Sequence, residues 1–166
     1  MRAGILTISD RSFRGERPDA SGPVIAEIVA AAGGRVALTG VVPDERDQIA
    51  AKLVAWSEGD QVDVIFTTGG TGFAPRDVTP EATRAVIDRE APGLAEAMRA
   101  AGLLKTPHAM LSRAVCGMRG RVLIINLPGS PKAVRENLEV ILPVLPHALQ
   151  LLGEDPGSEA GHAFPA

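Results

Sequence analysis

Residues 62–81 read VDVIFTTGGTGFAPRDVTPE. The opening run, VDVIFTT (62–68), is almost continuously apolar, as a strand buried on both faces requires. It passes without a spacer into Gly69, Gly70 and Gly72. Thr79-Pro80-Glu81 then supplies an N-cap, a first-turn proline and a first-turn acid for a helix. Strand, glycine turn and helix form the repeating unit of a parallel α/β sheet. In such sheets ligands bind at the carboxyl ends of the strands, so the glycine turn is the first place to look for a site.

The rest of the chain repeats the alternation. AGILTIS (3–9) is a compact β run ending at Asp10, and Ser21-Gly22-Pro23 opens the helical stretch VIAEIVAAA, closed by Gly33-Gly34. RVALTGVV (35–42) stops at Pro43-Asp44, with Asp44 at the N-cap position of a helix carrying Ile49, Leu53 and Trp56 at helical spacing. A shorter helix is expected over 94–101, a strand at RVLIINL (121–127), and another helix starting at Ser130-Pro131. From 153 onward (GEDPGSEAGHAFPA) periodicity is lost, which reads as a flexible C-terminal tail. The expectation is one α/β domain over 1–152: a three-layer fold, its mostly parallel sheet covered by helices on both faces. The strand exits Ser9-Asp10, Pro43-Asp44, 68–72 and 126–129 are the candidate site.

Composition excludes several functions. A net charge of −3 gives no electrostatic footprint for nucleic acid. Cys116 is the only cysteine, so neither an internal disulfide nor a thiolate metal cluster can form, which suits a reducing, cytoplasmic setting. No apolar run has the length of a membrane span. His108, His147 and His162 lack metal-ligand spacing, and Ser112 has no Gly-x-Ser-x-Gly context for a hydrolase.

Glycines let a ligand approach peptide N–H groups, and successive N–H groups in such a turn make a concave anion site. A tight turn needing glycine for geometry alone is the competing reading. A P-loop is excluded because no Gly-Lys-Ser/Thr follows, and a dinucleotide fingerprint because Pro75 stands where glycine or alanine is needed. Thr67, Thr68 and Thr71 add hydroxyls and Arg76 a cation. Asp77 would repel an anion unless a cation such as Mg²⁺ intervenes, held by one or two carboxylates and substrate phosphates. Asp44 is a possible second ligand, or a plain N-cap, and Asp77 a plain loop residue. The residues by themselves reach a nucleotide or phosphate ester with Mg²⁺.

TTGGTGFAPRDVTPEAT resembles the signature of the Mog/MoaB family, the molybdopterin adenylyltransferases of molybdenum-cofactor synthesis. LTISDR (6–11), VVPDE (41–45), EAPGLAEAMR (90–99), AMLSRAVCG (109–117) and INLPGSPKAV (125–134) are similar to further family blocks in the same order. The chain looks closest to the short MoaB-like form. The resemblance implies a molybdopterin-binding fold, a homotrimer and Mg²⁺-dependent transfer of AMP from ATP to the terminal phosphate of molybdopterin. It also implies hand-over of the product to a molybdenum-insertion protein. By the same resemblance Asp44 and Asp77 are catalytic and metal-holding, and Thr68, Gly69, Gly70, Thr71 and Gly72 face the phosphates. Ser9, Asp10, Ser112, Asn126, Pro128, Gly129 and Ser130 match pocket segments, and Glu96 an acidic position nearby. The alternative within the family is a paralogue that binds or carries molybdopterin without adenylylating it. The related molybdenum-inserting domain is expected in longer multidomain chains.

Overall fold

The computed structural model describes residues 1–154. Six strands form one sheet in the order β2-β1-β3-β6-β5-β4. Four of them run parallel: β1 (Arg2–Ile8), β2 (Arg35–Val42), β3 (Val64–Thr68) and β6 (Val122–Leu127). The remaining pair, β4 (Arg89–Glu90) and β5 (Cys116–Arg119), extends the sheet antiparallel beyond β6. This edge was not expected from the sequence. Its strands are too short to show a period, and β5 is Cys-Gly-Met-Arg.

A single helical turn, α1 (Asp10–Phe13), follows β1, its N-cap Ser9 accepting from Ser12 N–H at 3.2 Å. Every residue of β3 and β6 is buried, which is why both read as uninterrupted apolar runs. Alternate side chains feed two cores. Ile5, Phe66, Leu123 and Ile125 meet Ile25 and Val29 of α2 (Gly22–Ala31), Met98 of α5 (Pro92–Leu103) and Val134, Leu138 and Ile141 of α6 (Pro131–Ile141). Leu145 of α7 (Leu145–Leu152) joins this cluster. On the opposite face Leu6, Ile65 and Ile124 pack with Ile49 and Leu53 of α3 (Arg46–Glu58) and Ala82 of α4 (Thr79–Arg84). Helices on both faces of a mostly parallel sheet are the expected three layers.

Because β1 lies between β2 and β3, the chain leaves β1 to one side and returns to the other. That reversal opens a crevice at the carboxyl ends of β1 and β3, and the glycine turn lies there. At the other end, Gly153 N–H closes α7 on Leu149 O at 2.9 Å, and Glu154 pairs with Arg121 at 3.0 Å. Of the tail expected from 153 onward, residues 155–166 lie outside the described residues. No helix among the described residues is long and apolar enough to cross a membrane.

Candidate functional site

The glycine turn is shaped by three contacts. Gly69 N–H donates to Leu127 O at 3.2 Å, which prolongs the β3–β6 ladder by one residue. Gly69 then turns at φ +102°, where a Cβ would collide with Ile8 O, and Gly70 follows at φ +63°. Both positions demand glycine, for conformation and for space. Thr79 closes the loop: its hydroxyl donates to Gly69 O at 2.9 Å and its N–H to Gly70 O at 3.1 Å. Thr79 is therefore not the N-cap expected from the sequence. That position falls to Val78, which makes no side-chain cap. Among the described residues the N–H groups of Gly70, Thr71 and Gly72 have no protein acceptor. Any anion nest in this turn would comprise these three and exclude Gly69, whose N–H the sheet has taken.

Two carboxylates face this loop. Asp44 is also not a helix cap: the N-cap of α3 is Glu45, without a side-chain bond. Asp44 instead exchanges hydrogen bonds with the exit of β1. Asp10 N–H donates to Asp44 Oδ2 at 2.8 Å, and Asp44 N–H donates to Asp10 Oδ1 at 3.1 Å. Asp44 Oδ1 points at the loop, 3.3 Å from where a Gly70 Cβ would stand. Asp77 differs in that its backbone-bonded oxygen is the one nearest the loop. Its Oδ2 accepts from Ala74 N–H at 2.9 Å and lies 2.9 Å from where a Gly72 Cβ would be. Each aspartate thus has one oxygen held by the backbone. Burial foremost, and then the charges of Asp10 and Asp77, push the Asp44 carboxyl above its ordinary range, against the Asp10 N–H bond and Arg76.

The loop separates two clefts. The larger, about 500 Å³, is lined by Ser9, Asp44, Thr68, Gly69, Gly70, Asp77, Gly129 and Ser130, with Ser12, Arg17 and Asp19. The smaller, about 290 Å³, is lined by Thr71, Gly72, Ser112 and Pro128 with the apolar Met98, Ala109 and Leu111. Three residues expected at the pocket line neither cleft. Glu96 is exposed on α5. Asn126 is wholly buried behind the loop: its amide donates to Thr67 Oγ1 and Thr83 Oγ1, both at 2.9 Å, and its oxygen accepts from Val115 N–H. The Asp10 carboxylate turns to Arg76.

The fold agrees with that of known proteins. The family description "Probable molybdopterin binding domain" matches residues 4–147. The chain belongs to that molybdopterin-binding family. A Helicobacter pylori relative named molybdopterin adenylyltransferase is 42% identical, over 90% of this chain and 86% of its own length. The Drosophila melanogaster molybdenum cofactor synthesis protein cinnamon is 45% identical over 92% of this chain. This chain spans only 26% of that protein. The solved structure of the molybdopterin biosynthesis enzyme MoaB from Thermus thermophilus superposes with a TM-score of 0.88 at 57% identity, covering 93% of this chain and 98% of that one.

Within the molybdopterin-binding fold of this chain, the candidate cations sort by their partners. Arg14 pairs with Glu16, and Arg76 with Asp10 and Glu45. Arg113 ties the loop together: Nε donates to Gly72 O at 2.7 Å, Nη2 to Asp77 O, and Nη1 to Glu81. Arg17, which sequence reasoning passed over, is the one cationic side chain lining the larger cleft among the described residues. Asp19 was missed too. Its carboxylate accepts from Thr7 Oγ1 at 2.6 Å, from Ser21 N–H and Oγ–H, and from Gly22 N–H. The legible signal was an aspartate two residues before Ser21-Gly22, the spacing of an Asx turn.

Proposed function

We propose that this chain transfers AMP from ATP to the terminal phosphate of molybdopterin and releases pyrophosphate. The observation that carries this reading is a loop with free N–H groups at 70–72 standing between two clefts, the larger lined by Gly70 and both aspartates and the smaller by Thr71 and Gly72. A phosphate monoester with a second pKa of about 6 is already largely dianionic at neutral pH, so the nucleophile needs no strong general base. The obstacle is charge, because that dianion must approach the α-phosphorus of a triphosphate. The new P–O bond forms there as the α–β bridging bond breaks, and pyrophosphate leaves with the electron pair. Catalysis of this kind is positioning and neutralisation.

The nest N–H groups hold phosphate oxygens, and Arg17 adds a positive charge in the same cleft. The donor set fits Mg²⁺: two carboxylates beside one glycine loop, each with Oδ2 hydrogen-bonded to backbone N–H and Oδ1 not. No cluster of three or more ligating side chains exists among the described residues, and Mg²⁺ needs none, since it keeps water and takes substrate oxygens. Held by Asp44 and Asp77, the ion would offset phosphate repulsion and stabilise the leaving pyrophosphate. The smaller cleft, with its apolar wall, suits the pterin ring.

The name of the Helicobacter relative supports the same reaction. A homotrimer and hand-over to a molybdenum-insertion protein complete the reading. Exposed Leu104, Met110 and Phe73 offer apolar surface for such contacts. The test is anaerobic incubation with molybdopterin, ATP and Mg²⁺, following adenylylated pterin and pyrophosphate together, with Asp77→Ala beside the native chain. Equal amounts of both products, lost without Mg²⁺ and in the variant, are expected. Pterin binding with neither product would leave a carrier.

A further inference from the structure

We infer that Asp10 and Arg76, which look from the sequence like ligand-contacting groups, are positioning residues that hold Asp44 in its metal-binding pose. The inference rests on the adenylyltransferase reading above and concerns how its metal site is built.

Both oxygens of the Asp10 carboxylate are engaged by protein donors. Oδ1 accepts from Asp44 N–H at 3.1 Å and from Arg76 Nη2 at 3.0 Å, and Oδ2 accepts from Arg76 Nε at 3.1 Å. The third donor, Arg76 Nη1, reaches Glu45 Oε1 at 2.8 Å. One guanidinium therefore joins three strand exits: its own loop after β3, Asp10 after β1 and Glu45 after β2. For Arg76 to bind a substrate phosphate it would have to abandon two carboxylates, and Asp10 lines neither cleft.

Asp10 and Asp44 are two carboxylates held together by exchanged backbone bonds. Unscreened, their like charges would drive the pair apart. The planar fork of Arg76 binds Asp10 through two donors, neutralises it and sets its orientation, which a lysine could not do. Asp10 so fixed aims Oδ1 at Asp44 N–H, while its own N–H keeps Asp44 Oδ2. Asp44 Oδ1 is left facing the glycine loop. Arg76 is 54% exposed and Glu45 50%, so these ion pairs contribute little to folding. The network's effect is expected on the metal site, since partners that orient metal ligands are worth roughly 10–100-fold in metal affinity.

The experiment titrates Mg²⁺ calorimetrically into protein saturated with α,β-methylene ATP. Native chain, Arg76→Ala, Arg76→Lys, Asp10→Ala and the Arg76→Ala/Asp10→Ala pair are compared. Nucleotide binding without Mg²⁺ is measured in parallel. Both single alanine variants should weaken Mg²⁺ by about 10–100-fold, with unfolding midpoints near that of the native chain. The double variant should be no worse than Asp10→Ala, because Arg76 acts through Asp10, and Arg76→Lys should recover only part of the loss. Metal-free nucleotide binding should not change. Weakened metal-free binding in Arg76→Ala but not in Asp10→Ala would make Arg76 a phosphate ligand and overturn the inference. Unchanged Mg²⁺ affinity in both variants, or no Mg²⁺ response in the native chain, would overturn it as well. A native chain that shows the expected Mg²⁺ pattern yet forms no adenylylated pterin would sink the adenylyltransferase reading alone.

Discussion

Replacing Gly70 by alanine tests whether the glycine turn is a built site or an ordinary bend, and Gly33 provides the internal standard. Both glycines sit at positive φ, +63° and +73°, so an alanine at either must adopt a left-handed conformation. That costs roughly 1–2 kcal/mol. At Gly33 nothing lies within 4 Å of the added Cβ, so the conformational term stands alone. At Gly70 the Cβ would overlap Thr79 Oγ1 and come within 3.3 Å of Asp44 Oδ1. Thr79 is completely buried and its hydroxyl donates to Gly69 O. Forcing it aside leaves a buried donor and acceptor unpaired, a further cost of about 1–3 kcal/mol. Urea unfolding with linear extrapolation should therefore show a loss of about 1–2 kcal/mol for Gly33→Ala and about 2–5 kcal/mol for Gly70→Ala. Nucleotide binding should fall only in the second, because only there does the nest change shape. Equal losses of stability, or intact nucleotide binding in Gly70→Ala, would refute the account of this loop.

Three other outcomes follow from the same geometry. Asp44→Asn should stabilise the metal-free protein at neutral pH while removing Mg²⁺ binding. The folded-state pKa of Asp44 lies above its ordinary value, so its favourable contribution exists below the unfolded pKa and is lost as pH rises through the folded one. Unfolding of native and variant chains from mildly acidic to neutral pH checks the sign, and a variant less stable at neutral pH would contradict it. Arg113→Met should cost about 1.5–3 kcal/mol, the worth of charge-assisted bonds now made to Gly72 O, Asp77 O and Glu81. Denaturant melts measure this, and turnover should drop further because Asp77 loses its anchor. The Cys116 thiol, pushed up to about 12 by burial, should resist a disulfide-exchange reagent in mildly alkaline buffer until denaturant is added. Rapid labelling of the native chain would show that β5 opens readily.

The sequence by itself determined the sheet's centre and the place of the glycine turn at the carboxyl end of β3. β1, β3 and β6 are buried on both faces, and such strands advertise themselves as apolar runs whatever surrounds them. Gly69 and Gly70 were legible for a similar reason: both have positive φ, and an added Cβ would strike Ile8 O at the first and Thr79 Oγ1 at the second. The tertiary structure alone decided where the polar side chains ended up. Asp44 and Thr79 both carry strong local preference for capping a helix, yet each is drawn to a partner distant in sequence. Asp44 bonds to Asp10, 34 residues away, and Thr79 to Gly69. Asp10 and Asn126 lie at strand exits or ends expected to face the pocket but turn from the clefts, one to Arg76 and one to Thr67 and Thr83. The antiparallel edge of β5 and β4 forms only because β6 offers an unpaired ladder. A chain's local pattern dictates which elements form. A hydrogen-bonding group goes to whichever partner the packed fold brings within about 3 Å, and that partner can lie anywhere in the sequence.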